Sequence, residues 1–234
     1  MKDGLVVLDE VSYSYNPDRP VLRRCCFQLD ADERVGLLGT NGSGKTTVLK
    51  MIVGLLKPDS GRVRIFGKLC RTERDFREVR RRVGFLFQDS DDQLFCPTVA
   101  EDVAFGPLNM GKSREEARQI VSRTLSLLGL PRFEDRITYK LSGGEKRLVA
   151  LAAVLAMQPE VLLLDEPTAG LDDAAAQRVV DVLEELPQAM VIATHDPRLL
   201  DSPVNRLLRL SGGRLVAESD GDGAIGHLQL QTKP

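Results

Sequence analysis

Long apolar runs are missing from this chain. The longest, residues 148–157, is about half of the roughly 20 residues that a membrane-spanning helix needs, so no segment is expected to cross a bilayer. The opening Met1-Lys2-Asp3-Gly4 leads into Leu5-Val6-Val7-Leu8-Asp9, which is too short and too soon acidic for the apolar region of a signal peptide. The protein is therefore expected in the cytosol. Metal-binding side chains are scarce: His195 and His227 are the two histidines, and Cys25, Cys26, Cys70 and Cys96 contain no Cys-x-x-Cys pair. That spacing argues against a zinc site or a redox pair, and the thiols read as reduced side chains packed like small apolar ones. A charge excess is missing as well. With 32 Lys+Arg against 34 Asp+Glu, the net charge of -2 argues against nucleic acid as a partner.

What is present suits one large folded unit. At 234 residues and 42% hydrophobic content the chain can build a core and one catalytic unit, and it is too short for two nucleotide-binding units. Residues 5–11 and 21–29 read as strands joined by the polar turn Asn16-Pro17-Asp18-Arg19-Pro20. Val35-Gly36-Leu37-Leu38 reads as a short buried strand. It enters a glycine-rich loop and then a helix with Val48, Leu49, Ile52, Val53 and Leu56 on its apolar face, stopped by Pro58-Asp59-Ser60-Gly61. Residues 62–66 and 83–87 read as further strands, and the basic run 77–82 as a solvated face. Thr98-x-x-Glu101 and Ser113-x-x-Glu116 fit the capping box, so a helix begins at each. The apolar runs 161–164 and 190–193, separated by a helix over 174–185, have the character of central parallel strands. Residues 206–210 and 214–217 read as a closing hairpin about Gly212-Gly213.

Three motifs carry chemistry. Gly39-Thr40-Asn41-Gly42-Ser43-Gly44-Lys45-Thr46 lies between a strand and a helix, where consecutive backbone N–H groups cradle phosphate oxygens. Its glycines admit close approach, Lys45 offers charge to the outer phosphates, and the Thr46 hydroxyl is a ligand for Mg²⁺. Val161-Leu162-Leu163-Leu164-Asp165-Glu166 delivers two carboxylates at the end of a buried strand, where parallel-sheet proteins place ligands. Asp165 there suits Mg²⁺, and Glu166 suits orienting or deprotonating an attacking water. Leu141-Ser142-Gly143-Gly144-Glu145 contains a capping box, which accounts for Ser142 and Glu145. It does not account for two adjacent glycines, which are costly at a helix start unless something approaches the backbone closely. A bare helix N-terminus of this kind is suited to clamp a terminal phosphate.

Together these motifs resemble the ATP-binding cassette (ABC) ATPases, from Tyr15 to about Ala217. The resemblance implies ATP and Mg²⁺ as cofactors. It casts Tyr15 as the aromatic that stacks on adenine, although a strand aromatic like Tyr13 is the equal alternative. It casts Gln88 as the glutamine that senses Mg²⁺ and water, Asp172 in Ala169-Gly170-Leu171-Asp172 as part of a loop crossing a dimer interface, and His195 as the switch histidine at the terminal phosphate. The implied nucleotide site comprises Tyr15, Gly39, Thr40, Asn41, Gly42, Ser43, Gly44, Lys45, Thr46 and Thr47, with Ser142, Gly143, Gly144 and Asp172. Lys45, Gln88, Glu166 and His195 are the implied catalytic residues, and Thr46, Gln88 and Asp165 the implied Mg²⁺ ligands. Glu145 departs from the family's more usual glutamine, Asp173 and Ser90 stand at frequent proline positions, and the helix expected after His195 is truncated.

Residues 87–95 and 101–109 look most like the ATPase of energy-coupling-factor importers, and the wording Gly106-Pro107-Leu108-Asn109 most like the cobalt or nickel branch. This implies uptake of a divalent metal ion, cobalt or nickel, or of another micronutrient. It also implies a second ATPase subunit, identical or homologous, at the cytoplasmic face of the membrane, together with a transmembrane coupling component and a substrate-binding membrane component. Leu94, Phe95 and Phe105 are candidates for docking that partner, or for core positions. The alternative is a cassette ATPase acting on DNA or ribosomes, against which stand the missing coiled coil and the missing second cassette. The expected fold is α/β: a P-loop NTPase core with a mostly parallel sheet, an antiparallel β edge subdomain and a helical subdomain. One domain is expected over 1–218, with the core near 1–88 and 158–218 and the helical part near 89–157. Residues 219–234 read as a loose tail.

Overall fold

The computed structural model describes residues 4–218, so the expected tail lies outside the described residues. Six strands form the main sheet. β3 (Arg34–Leu38), β6 (Val83–Leu86), β7 (Val161–Asp165), β8 (Ala189–Ala193) and β9 (Arg206–Ser211) are mutually parallel, and β10 (Arg214–Ala217) closes one edge antiparallel to β9, giving the order β10-β9-β3-β8-β7-β6. A second sheet is wholly antiparallel, in the order β2-β1-β4-β5, from β1 (Val6–Asn16), β2 (Arg19–Leu29), β4 (Ser60–Ile65) and β5 (Lys68–Cys70).

Side-chain alternation explains the apolar runs. Along β7 and β8 every residue is buried. Val161, Leu163 and Val191 enter one core cluster, between the two sheets, while Leu162, Leu164, Met190 and Ile192 enter another on the opposite face. The first cluster also takes the apolar sides of α1 (Lys45–Ile52) and α2 (Glu73–Arg82). The second lies beneath α3 (Val99–Asn109), α4 (Arg114–Leu127), α5 (Gly143–Ala156) and α6 (Asp173–Glu185). Fully burying one such leucine contributes roughly 1.5–3 kcal/mol, so neither face tolerates a polar residue in mid-strand.

Two boundaries and one further helix differ from the sequence reading. The connection between β1 and β2 is only Pro17-Asp18, because both strands extend through the residues read as a longer turn. α1 ends well before Pro58: Gly54 takes φ 73°, the Leu55 N–H donates to the Lys50 carbonyl at 2.9 Å and the Gly54 N–H to Met51 at 3.1 Å, a Schellman closure. The basic run read as a solvated face is the end of α2, which buries Phe76 and Val79 and starts on a Thr72–Asp75 capping box. The truncated helix after His195 is α7, the five residues Pro197–Asp201. Of the thiols, Cys25 and Cys70 are buried as expected, and burial pushes Cys25 up to about 11, whereas Cys26 is exposed.

Candidate nucleotide site

The glycine-rich loop links β3 to the head of α1. Gly42 and Gly44 take φ of 76° and 110°, a left-handed backbone that turns successive N–H groups inward at little cost only without a Cβ. Tyr15, residues 40–47, Gln88, Asp165 and Glu166 line one cleft of about 410 Å³ around it. Gly39 faces the next hollow, beside β9 and β10. Tyr15 is 61% exposed, sits edge-on against Tyr13 at 5.0 Å, and its hydroxyl lies 3.2 Å from that of Thr47. The Tyr15 ring is thus exposed on the cleft wall and is not a core side chain.

Charges converge at the base of the cleft. Lys45 Nζ donates to the carbonyl of Gly39 at 2.7 Å and contacts His195 Nε2 at 3.2 Å. His195 follows β8, with its ring 3.7 Å and its backbone N–H 3.4 Å from the Glu166 carboxylate. Thr46 Oγ1 donates to Asp165 Oδ2 at 2.5 Å. Burial raises the Asp165 carboxyl above the usual aspartate range, against the pull of the Thr46 hydrogen bond and the charges of Arg147 and Lys45. Glu166 stands at φ 50°, unusual for a residue with a side chain, and its N–H is fixed on the Ala193 carbonyl at 2.8 Å.

Ser142, Gly143, Gly144 and Asp172 do not line this cleft. Ser142 caps α5: its hydroxyl accepts from the Glu145 N–H at 3.2 Å, and Glu145 Oε2 accepts from the Ser142 N–H at 2.8 Å. Asp172 caps α6, accepting from the Ala175 N–H at 2.8 Å. The two glycines differ. A Cβ on Gly144 would meet the Gly170 carbonyl at 3.2 Å, whereas one on Gly143 would meet nothing within 4 Å. Bareness at Gly143 therefore has no cause among the described residues.

Sequence reasoning missed Arg147. Its side chain, 3% exposed, donates from Nη1 to the carbonyls of Phe87 and, at 3.0 Å, Gln88, and from Nη2 to those of Asp165 and, at 2.5 Å, Glu166. The available signal was a charged residue set at the head of the apolar run that forms α5. Its neighbour Lys146 reaches Asp91 in the acidic loop at 2.5 Å.

Known proteins place these features in one family. The family model described as ABC transporter matches residues 22–169. The chain is 41% identical over 218 residues to the energy-coupling factor transporter ATP-binding protein EcfA of Methanothermobacter thermautotrophicus, covering 92% of this chain and 70% of that protein. It is similar to the solved structure of cbiO1 from Clostridium perfringens, part of the ABC transporter complex cbiONQ, with 34% identity, a TM-score of 0.79 and coverage of 92% and 88% of the two chains. It is also similar to the dimeric ATP-binding cassette MJ0796 in a post-hydrolysis state bound to ADP and Pi, with 28% identity, a TM-score of 0.84 and coverage of 92% and 97%. The chain belongs to the ABC transporter family, as an ATP-binding and ATP-hydrolysing subunit.

Proposed function

We propose that this subunit powers an importer for a divalent transition-metal ion, cobalt or nickel, from the cytoplasmic face of the membrane. No helix among the described residues is long and apolar enough to span a bilayer. The observation that carries the reading is the pair Phe95 and Phe105, 66% and 48% exposed, with ring centroids 4.8 Å apart. Both line a hollow of about 230 Å³ that Phe87 also lines, and Phe105 lines in addition a larger groove of about 960 Å³ along α3 and α4. A coupling helix of a membrane partner has an apolar footing there, beside the segment that carries Gln88. Leu94, the third candidate, packs against the second core cluster instead. The metal assignment draws on the likeness to EcfA and cbiO1 and on the wording of residues 106–109.

In this reading the ATP phosphates lie on the amides of residues 42–46 and on Lys45, and adenine stacks on Tyr15. The Thr46 hydroxyl and the Asp165 carboxylate, oxygen donors held together at the cleft base, fit a hard cation, with Gln88 on the same wall. Mg²⁺ bound there supplies charge stabilisation at the phosphates. Glu166 orients and deprotonates the attacking water, and His195 holds the terminal phosphate from the side of Lys45. Ser142 and Gly143 of a partner subunit close the site over that phosphate. The division into a core near 1–88 and 158–218 and a helical part near 89–157 belongs to the same proposal.

Uptake of labelled cobalt and nickel tests the reading in cells that carry the chain with its neighbouring membrane proteins. Uptake is expected, with Glu166→Gln lowering it about a hundredfold or more, as loss of a general base does. Phe95→Asp is expected to keep ATP binding but lose co-purification with the membrane partner. Absent uptake of both ions overturns the metal assignment, and normal co-purification of Phe95→Asp overturns the docking site.

A further inference from the structure

Arg147 is a buried charge that no step above uses. It is the fifth residue of α5, one turn beyond Gly143 on the same helix. Its four acceptors are main-chain carbonyls at the ends of β6 and β7, which lie side by side and parallel. One chain end carries Gln88 and the other Glu166. A guanidinium buried on carbonyls, without a carboxylate to bond, adds little as a stabiliser, and burial pulls its pKa down. Its planar fork is nevertheless suited to hold two pairs of oxygens at a fixed separation, which a lysine cannot do. Glu166 is held from two sides as a result, by Ala193 at its N–H and by Arg147 at its carbonyl.

We propose that Arg147 is a positioning residue, which fixes the separation between Gln88 and Glu166 and makes that separation follow the position of α5. When the N-terminus of α5 moves to meet a phosphate, the rigid helix carries Arg147 with it. Both carbonyl pairs then move together, so hydrolysis is tuned by the element that touches the other subunit's nucleotide. The proposal rests on the ATPase site described above and adds a residue that touches neither substrate nor metal.

Arg147→Lys and Arg147→Ala in the full chain test it, with ATP turnover and equilibrium ATP binding measured side by side. At least a tenfold loss of kcat is expected in both, with the Kd for ATP within about twofold of wild type because the phosphate loop is untouched. Millimolar guanidinium is expected to restore part of the kcat of Arg147→Ala without changing Kd. A kcat within twofold of wild type in Arg147→Lys, or Kd and kcat worsening together, overturns the role. If neither variant folds, hydrogen exchange on the wild-type chain decides. Adding a non-hydrolysable ATP analogue must protect the first turn of α5 and the amides of residues 88–90, 166 and 168 in concert, and protection of α5 alone overturns the proposal. Wild type and Glu166→Gln run as controls, so a failure of the ATPase reading shows in them and not in Arg147.

Discussion

A single carboxylate shows how this site sets function against stability. Asp165 was legible in the sequence as the acid ending an apolar run, but its burial and its bond to Thr46 were not, since they depend on α1 packing beneath the sheet. Burial raises its folded pKa above the unfolded value, so the fold binds the proton more tightly than the unfolded chain does. The ionised form therefore opposes folding at neutral pH, and that cost is relieved as the pH falls through the raised pKa. Asp165→Asn keeps an oxygen for Thr46 and removes the charge. Without Mg²⁺, its thermal midpoint at pH 7 is expected to equal or exceed that of wild type, with the gap closing in acid. If Asp165 holds Mg²⁺ as proposed, metal-dependent turnover of the variant is expected to fall at least about a hundredfold. Melting curves with and without Mg²⁺ check both, and a variant less stable than wild type at pH 7 refutes the account of Asp165. Tyr15 illustrates the opposite limit: Tyr13 and Tyr15 read alike in the sequence, and only the placement of Tyr15 at the cleft separates them.

Helix starts were legible because their chemistry is local. The boxes at Thr98, Ser113 and Ser142 close as their sequences dictate, each satisfying two backbone donors from residues three apart. α2 was missed because its box uses Asp75 in place of glutamate and its apolar stripe is only Phe76 and Val79 amid arginines. Gly106-Pro107-Leu108-Asn109 has a structural cause as well: a Cβ on Gly106 would meet Met157 Cγ at 2.4 Å, and the Asn109 amide donates to the Phe105 carbonyl at 2.9 Å. That wording shapes how α3 packs. Glu145 is the informative departure. Its carboxyl is held below the usual glutamate range first by the Ser142 N–H and then by Arg136, with which it pairs at 2.7 Å. A depressed pKa contributes stability that is present above the unfolded value, about 4.3, and is lost as the pH falls through the folded value. Glu145→Gln retains an oxygen for the cap, so it is expected to cost less than about 1 kcal/mol at pH 7, with the difference vanishing in acid. Denaturant titrations at pH 7 and at a pH below the depressed folded value check this. A difference that does not change between them would separate Glu145 from the cap's pH dependence.

At the scale of the whole molecule, the proposed completion of the site by a second subunit turns on Gly143. It is the first residue of α5, it has open space around its missing side chain, and it does not line the cleft of its own Lys45 loop. An aspartate there is favourable to the helix, because negative charge suits the N-terminus. Folding of Gly143→Asp is therefore expected to be normal. Its hydrolysis is expected to be nearly abolished, because a carboxylate would face the phosphate of the other subunit's ATP. Lys45→Ala disables the complementary half. If the two halves meet across a two-fold axis, a mixed dimer has one site with both defects and one with neither. Random pairing makes half the dimers mixed, so a one-to-one mixture of the two inactive variants is expected to recover about a quarter of wild-type turnover. Turnover measured on each variant alone and on the mixture checks this directly. Full activity in Gly143→Asp alone, or no recovery on mixing while both variants still pair, would place the completing residues elsewhere.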